Sequence, residues 1–278
     1  MTARRGWYRE VVSRAFTQGE IRRYAVKALG DVGLLSRRTR LELGVVRRPA
    51  YGCGLLWAAE EAAKIGYDGI TALEFGVAAG HGLLTLEEHA SDVSRITGVS
   101  IDIAGFDSGA GLPPPTDYRD APFFWSEGSY PMDEAALRGR LTKAELVLGN
   151  VSESVPRFLE ERSEALSRNP IGFVSFDLDY WSSTVAALEI FRGEATLCMP
   201  RVTCYFDDTP WTIEDVGELR AISDFNEEPH GRKIRRPVGL RLFVPFKPVW
   251  ADQIFQAHLF DHPQYAVPIA TPRNEQLG

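Results

Sequence analysis

Short apolar runs of a strand's length, rich in β-branched and aromatic residues, recur along the chain. They are Ile70 to Phe75, the run ending in Ile103-Ala104-Gly105-Phe106, Glu145 to Leu148, Phe173 to Phe176 and Val202 to Phe206. Between them, apolar residues fall at helical spacing. This predicts helices from Leu55 to Ile65 (stopped by Gly66), through Leu83, Leu84 and Leu86, and over Asp133 to Arg140, Val155 to Leu166, Ser183 to Phe191 and Ile213 to Phe225. Strands alternating with helices predict an α/β fold with a doubly wound, mostly parallel sheet. Two late runs, Leu240 to Phe246 and Ile254 to Phe260, read as an antiparallel C-terminal strand pair that closes it. Residues 7–29 read as one or two amphipathic helices with a break near Gly19, followed by a basic connector from Gly30 to Pro49 with a short helix. The expected organisation is a basic helical extension over residues 1–50 and one catalytic domain over 51–278.

Charge sharpens that division. Residues 1–50 carry a net charge of +8, while the whole chain is −7, so the body is strongly acidic. A basic extension can pack on its own body or a partner subunit, touch an anionic surface, or form a solvated face. Trp7, Tyr8, Val11, Val12 and Phe16 form an apolar stripe that favours packing, and with it a homo-oligomer through the N-terminal helices. No basic and aromatic interleaving continues into the body, so a nucleic-acid partner is not expected. No apolar stretch is long enough to span a bilayer, and no secretory signal is evident. Three scattered cysteines (Cys53, Cys198, Cys204) suggest buried thiols in a reducing, cytoplasmic setting, and the five histidines lack zinc-ligand spacing.

Candidate chemistry begins at the first strand–helix junction, Glu74-Phe75-Gly76-Val77-Ala78-Ala79-Gly80-His81-Gly82. The small residues Gly76, Ala78 and Gly80 allow a ligand close to the backbone, and the next helix offers free N–H groups. The dinucleotide pattern G-x-G-x-x-G fails in both frames. Glu74, two positions before the first glycine, instead suits a carboxylate that orients an amino-acid ammonium. Asp107 ends the next strand, where a carboxylate can accept both hydroxyls of a ribose; a turn cap is its plain alternative. Residues 108–131, rich in Pro, Gly and aromatics, read as a lid or binding loop, with Phe123, Phe124, Trp125 and Tyr130 as its apolar surface.

Two carboxylate pairs carry the strongest signal. Asp177 and Asp179 end the run Phe173 to Phe176, and Asp207 and Asp208 end Val202 to Phe206. In a parallel sheet both ends open on the edge where such folds bind ligands. Four acids there repel one another unless a cation or proton lies between them. Oxygen-only ligands suit a hard ion such as Mg²⁺, Mn²⁺ or Ca²⁺. The plain alternative is capping: Asp179 on the helix near Ser183, and Asp208 on turn amides before Pro210. Glu218, in the following helix, reads as a packing or solvated residue, with reach to a metal as the lesser alternative, and His230 as a surface histidine ahead of a general base.

Three segments in order resemble a family. Leu73 to Gly80 resembles motif I of class I S-adenosylmethionine-dependent methyltransferases. Gly105-Phe106-Asp107-Ser108-Gly109-Ala110-Gly111-Leu112-Pro113 resembles the G-F-D-S-x-x-G-L-P signature of the macrocin O-methyltransferase group. Asp177-Leu178-Asp179-Tyr180-Trp181-Ser182-Ser183-Thr184 resembles that group's D-x-D-x-Y-x-S-T stretch, and Asp207-Asp208 its later acidic pair. The similarity covers about residues 55–245. The chain departs from the pattern at Gly109, Ala110, Tyr180 and His81.

The resemblance implies a Rossmann-like fold and a metal-dependent O-methyltransferase using S-adenosylmethionine, with a hydroxyl of a sugar, glycan or secondary metabolite as acceptor. It implies Asp177, Asp207 and Asp208 as ligands of a divalent metal, usually Mg²⁺. Asp177 and Asp179 are then the catalytic pair, with Asp179 a further ligand, an outer acceptor or the base. Glu74 and Asp107 would hold the methionine and ribose portions of the donor, along the turn of Gly76, Ala78 and Gly80, beside Ser108, with Asn150 near the adenine. Two rivals remain on the sequence alone: a nucleotide-binding (NAD-type) oxidoreductase, and a non-catalytic scaffold that binds S-adenosylmethionine.

Overall fold

The structure is a computed structural model and describes residues 18–268 apart from Trp211. The expected apolar stripe from Trp7 to Phe16 lies outside the described residues. The first described helix, α1 (Gln18–Asp31), carries Gly19 in its first turn, and the expected break near Gly19 falls at the limit of the described residues. A short helix α2 (Arg37–Glu42) follows, capped by Ser36, whose hydroxyl accepts from Thr39 N at 3.1 Å. Leu41 and Val45 are buried, so this connector packs on the body.

The body is a seven-stranded sheet in the order β3-β2-β1-β4-β5-β7-β6. Its strands are β1 (Gly69–Phe75), β2 (Ser100–Asp107), β3 (Glu145–Leu148), β4 (Ile171–Phe176), β5 (Cys198–Phe206), β6 (Lys233–Arg235) and β7 (Ile254–His258). β1 to β5 are mutually parallel, and β7 runs antiparallel to both β5 and β6. The larger helices around it are α3 (Pro49–Ile65), α4 (His81–Thr97), α6 (Val151–Glu161) and α9 (Gly217–Glu227); α5 (Glu134–Arg138), α7 (Ser163–Arg168), α8 (Trp181–Ala187) and α10 (Leu240–Phe243) are short. The doubly wound, mostly parallel architecture expected from the sequence is the one found. β1 and β4 are buried along their whole length, which explains their near-continuous apolar runs.

One late element differs from expectation. Leu240 to Phe246 is not a strand: Gly239 at φ 77° opens the short helix α10, and Phe246 and Lys247 also take positive φ. Pro245 and Pro248 remove the amides a ladder would need. The antiparallel partner of β7 is instead β6, where Lys233, Ile234 and Arg235 pair with His258, Ala257 and Gln256.

Register places the site. Phe106, Phe75, Phe176 and Phe206 are direct partners across β2, β1, β4 and β5. Their rings stack in sequence with centroids 4.7, 5.4 and 4.5 Å apart. This aromatic ladder is fully buried. The next residue on each strand is Asp107, Gly76, Asp177 and Asp207, so the ladder aligns all four at the carboxyl edge.

Candidate active site

A cleft of about 410 Å³ opens at that edge. The strand order reverses between β1 and β4, the switch point where such sheets bind ligands. Every parallel strand contributes to its lining: Gly76 and Ala78 after β1, Asp107 and Ser108 after β2, Gly149 and Asn150 after β3, Asp177 and Asp179 after β4, and Asp207 and Asp208 after β5. Of the residues expected to bind the donor, Glu74 and Gly80 do not line it.

The glycine turn is held by contacts that a side chain would break. Gly76 has φ 85°, and a Cβ there would lie 1.8 Å from the Asp177 carbonyl oxygen. Gly80, at φ 81°, leaves room for Leu137 from α5. Asp107 fastens the turn from the side: its Oδ2 accepts from Val77 N at 2.9 Å and Ala78 N at 2.8 Å, and its Oδ1 accepts from Gly109 N at 2.7 Å. A carboxylate offers about four acceptor positions, so one remains for a ligand. Asp107 is therefore a turn fastener as well as a cleft residue. Ser108 shapes the next loop, donating to Gly111 O at 2.8 Å. Asn150 caps α6, accepting from Ser152 N at 3.0 Å.

Glu74 lies beneath the cleft, fully buried. Tyr51 OH donates to its Oε1 at 2.9 Å, and Ser175 Oγ donates to Tyr51 OH at 2.7 Å. The Arg48 guanidinium stands 5.2 Å from the Tyr51 ring centre. Burial pushes the Glu74 carboxyl up to about 8, against the Tyr51 hydrogen bond and Arg48, with Asp177 and Asp107 adding to the rise. Its second oxygen is buried with no partner, a state that is uncommon for a buried polar atom.

All four acids line the same cleft. Burial, then the charges of Asp207 and Asp208, lift Asp177 to about 7. Asp179 sits at φ 60° and shares a hydrogen bond with Asp208. Burial, then the charge of Asp177, raises Asp179 against its interaction with Asp208; burial, then the charges of Asp179 and Asp207, raises Asp208. Acids so placed repel one another unless a proton or a cation lies between them. Asp207 accepts from the Tyr205 hydroxyl, and its main-chain carbonyl accepts from Gln253 Nε2 at 2.6 Å.

Capping does not explain these acids. α8 has Tyr180 at its N-cap position and no side-chain cap, and the Ser182 amide is taken by Asp120 Oδ1 at 2.8 Å. Before Pro210 it is the Asp208 carbonyl, not its carboxylate, that accepts from Thr212 N at 3.1 Å.

Glu218 is not the solvated residue that one of its readings expects. It is fully buried, and its Oε2 accepts from Asp208 N at 2.9 Å. Burial and the charges of Asp208 and Asp177 raise its carboxyl well above the usual range. Asp208 Oδ2 and Glu218 Oε1 are buried without partners. Among the described residues, no three His, Cys, Asp or Glu side chains converge closely enough to hold a metal ion as they stand. The donor chemistry nevertheless fits a hard cation: the oxygens are acidic, crowded and in part unpartnered.

The loop over residues 108–131 lies against the cleft. Buried Asp120 anchors it, accepting from Thr116 N and Thr116 Oγ1 at 2.8 and 3.0 Å as well as from Ser182 N. Trp125 and Tyr130 line the cleft, while Phe123 and Phe124 are exposed. His230 is elsewhere, beside Glu228 at 3.2 Å and against the Phe225 ring.

No protein-family model matches the chain, and no curated protein matches it. Among the solved structures that match it are two of one protein. The crystal structure of CalS11, a calicheamicin methyltransferase, is 21% identical with a TM-score of 0.47, covering 80% of this chain and 90% of that one. The apo structure of CalS11, described as TDP-rhamnose 3'-O-methyltransferase, is 20% identical with a TM-score of 0.39, covering 80% and 92%. The fold rests on the strand order and register above, not on this likeness.

Arg48, Tyr51 and Ser175 were not singled out in the sequence. Ser175 was the one visible sign, a hydroxyl inside an otherwise apolar strand.

Proposed function

We propose that this chain is an S-adenosylmethionine-dependent O-methyltransferase that uses a divalent ion, Mg²⁺ by its donor chemistry, and acts on a hydroxyl of a sugar, glycan or secondary metabolite. The observation that carries the reading is the gathering of Asp177, Asp179, Asp207 and Asp208 beside the Gly76–Ala78 turn in one cleft. An oxidoreductase has no use for four acids at that point, and the turn lacks the dinucleotide glycines.

Methyl transfer from a sulfonium is an in-line displacement: the O–C bond forms as the C–S bond breaks, and the sulfonium becomes a neutral thioether. The chain must align the partners, exclude water and take the hydroxyl proton. In this reading the Gly76–Ala78 turn receives the donor, Asp107 offers its remaining acceptor position to a ribose hydroxyl, and Asn150 borders the adenine. Glu74 draws the methionine ammonium through the turn by its unpartnered oxygen. Asp177, Asp207 and Asp208 would hold the ion, which when bound lowers the pKa of the acceptor hydroxyl and orients it. Asp179 takes the proton; a carboxyl raised toward neutrality suits that role. Trp125 and Tyr130 close the cleft against water.

Calorimetry with S-adenosylhomocysteine and with NAD tests the donor assignment. Binding of the first and not the second is expected. Asp107→Asn should weaken S-adenosylhomocysteine by roughly tenfold or more, the value of a hydrogen bond to a charged group. Tight NAD binding, or unchanged affinity in the variant, would count against this reading. A methyl-transfer assay on hydroxylated acceptors then separates an enzyme from a scaffold.

A further inference from the structure

The segment that joins β6 to β7 differs from the rest of the body in charge. Residues 232–251 hold six Lys/Arg and no Asp or Glu, in a chain of net charge −7. Some of these cations are used internally: Arg232 pairs with Asp261, and Arg241 with Asp252. Arg235, Arg236 and Lys247 are exposed and have no acidic partner among the described residues.

Interleaved with them are exposed apolar side chains: Val238 at 100%, Phe243 at 82%, Leu242 at 68% and Val249 at 59%. This exposure is built rather than frayed. Val244 and Ala251 are buried, and Leu240 and Trp250 pack on the core. Leu242 N donates to Gly239 O at 2.8 Å, and Arg241 Nε donates to Lys247 O at 2.9 Å. Leu240 in α10 and Val244 just after it face inward, while Leu242 and Phe243 between them are exposed.

The place of the loop matters too. β6 runs parallel to β5, because both are antiparallel to β7. The loop therefore leaves β6 at the carboxyl edge that carries the cleft, and it ends at Gln253, which donates to the Asp207 carbonyl. Phe123, Phe124 and Ile213, in loops leaving that same edge, are also exposed.

We propose that this loop docks the protein on an anionic phospholipid bilayer. Val238, Leu242 and Phe243 enter the boundary between headgroups and acyl chains, while Arg235, Arg236 and Lys247 face the lipid phosphates. Apolar tips ringed by cations are the chemistry of interfacial binding, in which buried apolar area and attraction to anionic lipid add. Docking there brings the cleft-bearing edge to the headgroup layer, and it does not depend on the methyl-transfer reading.

Co-sedimentation of the full chain with vesicles of phosphatidylglycerol and phosphatidylcholine, and of phosphatidylcholine alone, tests this against a variant with Leu242→Asp and Phe243→Asp. Both side chains are exposed, so the variant should melt as the parent does. The parent should bind the anionic vesicles at low salt and the neutral ones roughly tenfold or more weakly, and the variant should lose roughly tenfold on anionic vesicles. Absence of binding overturns the proposal. So does equal binding by the variant, which would assign the attraction to the basic first 50 residues. Dimerisation of the parent without vesicles, lost in the variant, would make the patch a contact between copies and also overturn it.

Discussion

Replacing Asp177 with Asn is expected to make the protein more stable and unable to transfer a methyl group. Burial first, and the charges of Asp207 and Asp208 next, raise Asp177 to about 7. A carboxyl raised above its unfolded value stabilises the folded state only while it is protonated. Its penalty grows as pH rises from about 4 toward 7 and is complete above that. One pKa unit is about 1.4 kcal/mol; part of the shift belongs to neighbours that adjust once Asp177 is neutral, so ~1–3 kcal/mol is the expected gain. Asn keeps the shape and removes the charge. Thermal unfolding at pH 8 in a chelator should therefore give a higher melting temperature for the variant, with the difference gone near pH 4. Methyl transfer should fall by at least ~100-fold, as when a group that stabilises developing charge is removed, while S-adenosylhomocysteine still binds. A variant that is less stable at pH 8, or that keeps its turnover, would show that Asp177 is a structural residue.

Gly76→Ala is expected to be the most damaging single change in the turn. The added Cβ would lie 1.8 Å from the Asp177 carbonyl oxygen and 2.7 Å from its carbon. Both atoms are backbone at the end of β4, so no rotamer change relieves the clash. The residue also sits at φ 85°. Left-handed backbone costs an L-residue about 1–2 kcal/mol, and overpacking adds about 1–3. A loss of roughly 2–5 kcal/mol follows, which for a chain of this size lowers the melting temperature by about 4–9 °C. Where the variant folds, the turn must move off β4, and donor affinity should be lost with it. Unfolding within about 0.5 kcal/mol of the parent, the range of ordinary surface changes, would contradict the close approach.

The parts of the fold that could be read from the chain share a physical cause. β4 and β5 are buried on both faces, so their apolar runs are continuous, and they stop where the chain reaches solvent and acids. The sequence signal for β6 was weak because an edge strand needs few apolar residues. Two of its three residues are cations, which also guard an open edge. The run from Leu240 to Phe246 misled because composition alone does not show that its prolines deny a ladder.

The acids of the site could be read because each follows a strand directly. Their supports could not. Tyr51 meets Glu74 across 23 positions and Ser175 across 124, and Glu218 reaches Asp208 across 10. Such contacts are made by topology and leave no local pattern. The ribose role of Asp107 was narrowed for the same reason, since its turn contacts come from residues 29 and 30 positions away.

The central claim is that the crowded carboxylates hold a hard cation in place of their shared proton. Titration of Mn²⁺ followed by electron paramagnetic resonance, with S-adenosylhomocysteine present, tests it most directly. One bound ion per chain, displaced by Mg²⁺ and lost in Asp177→Asn, is the predicted result. A spectrum of free Mn²⁺ throughout, or binding that the variant retains, would contradict it.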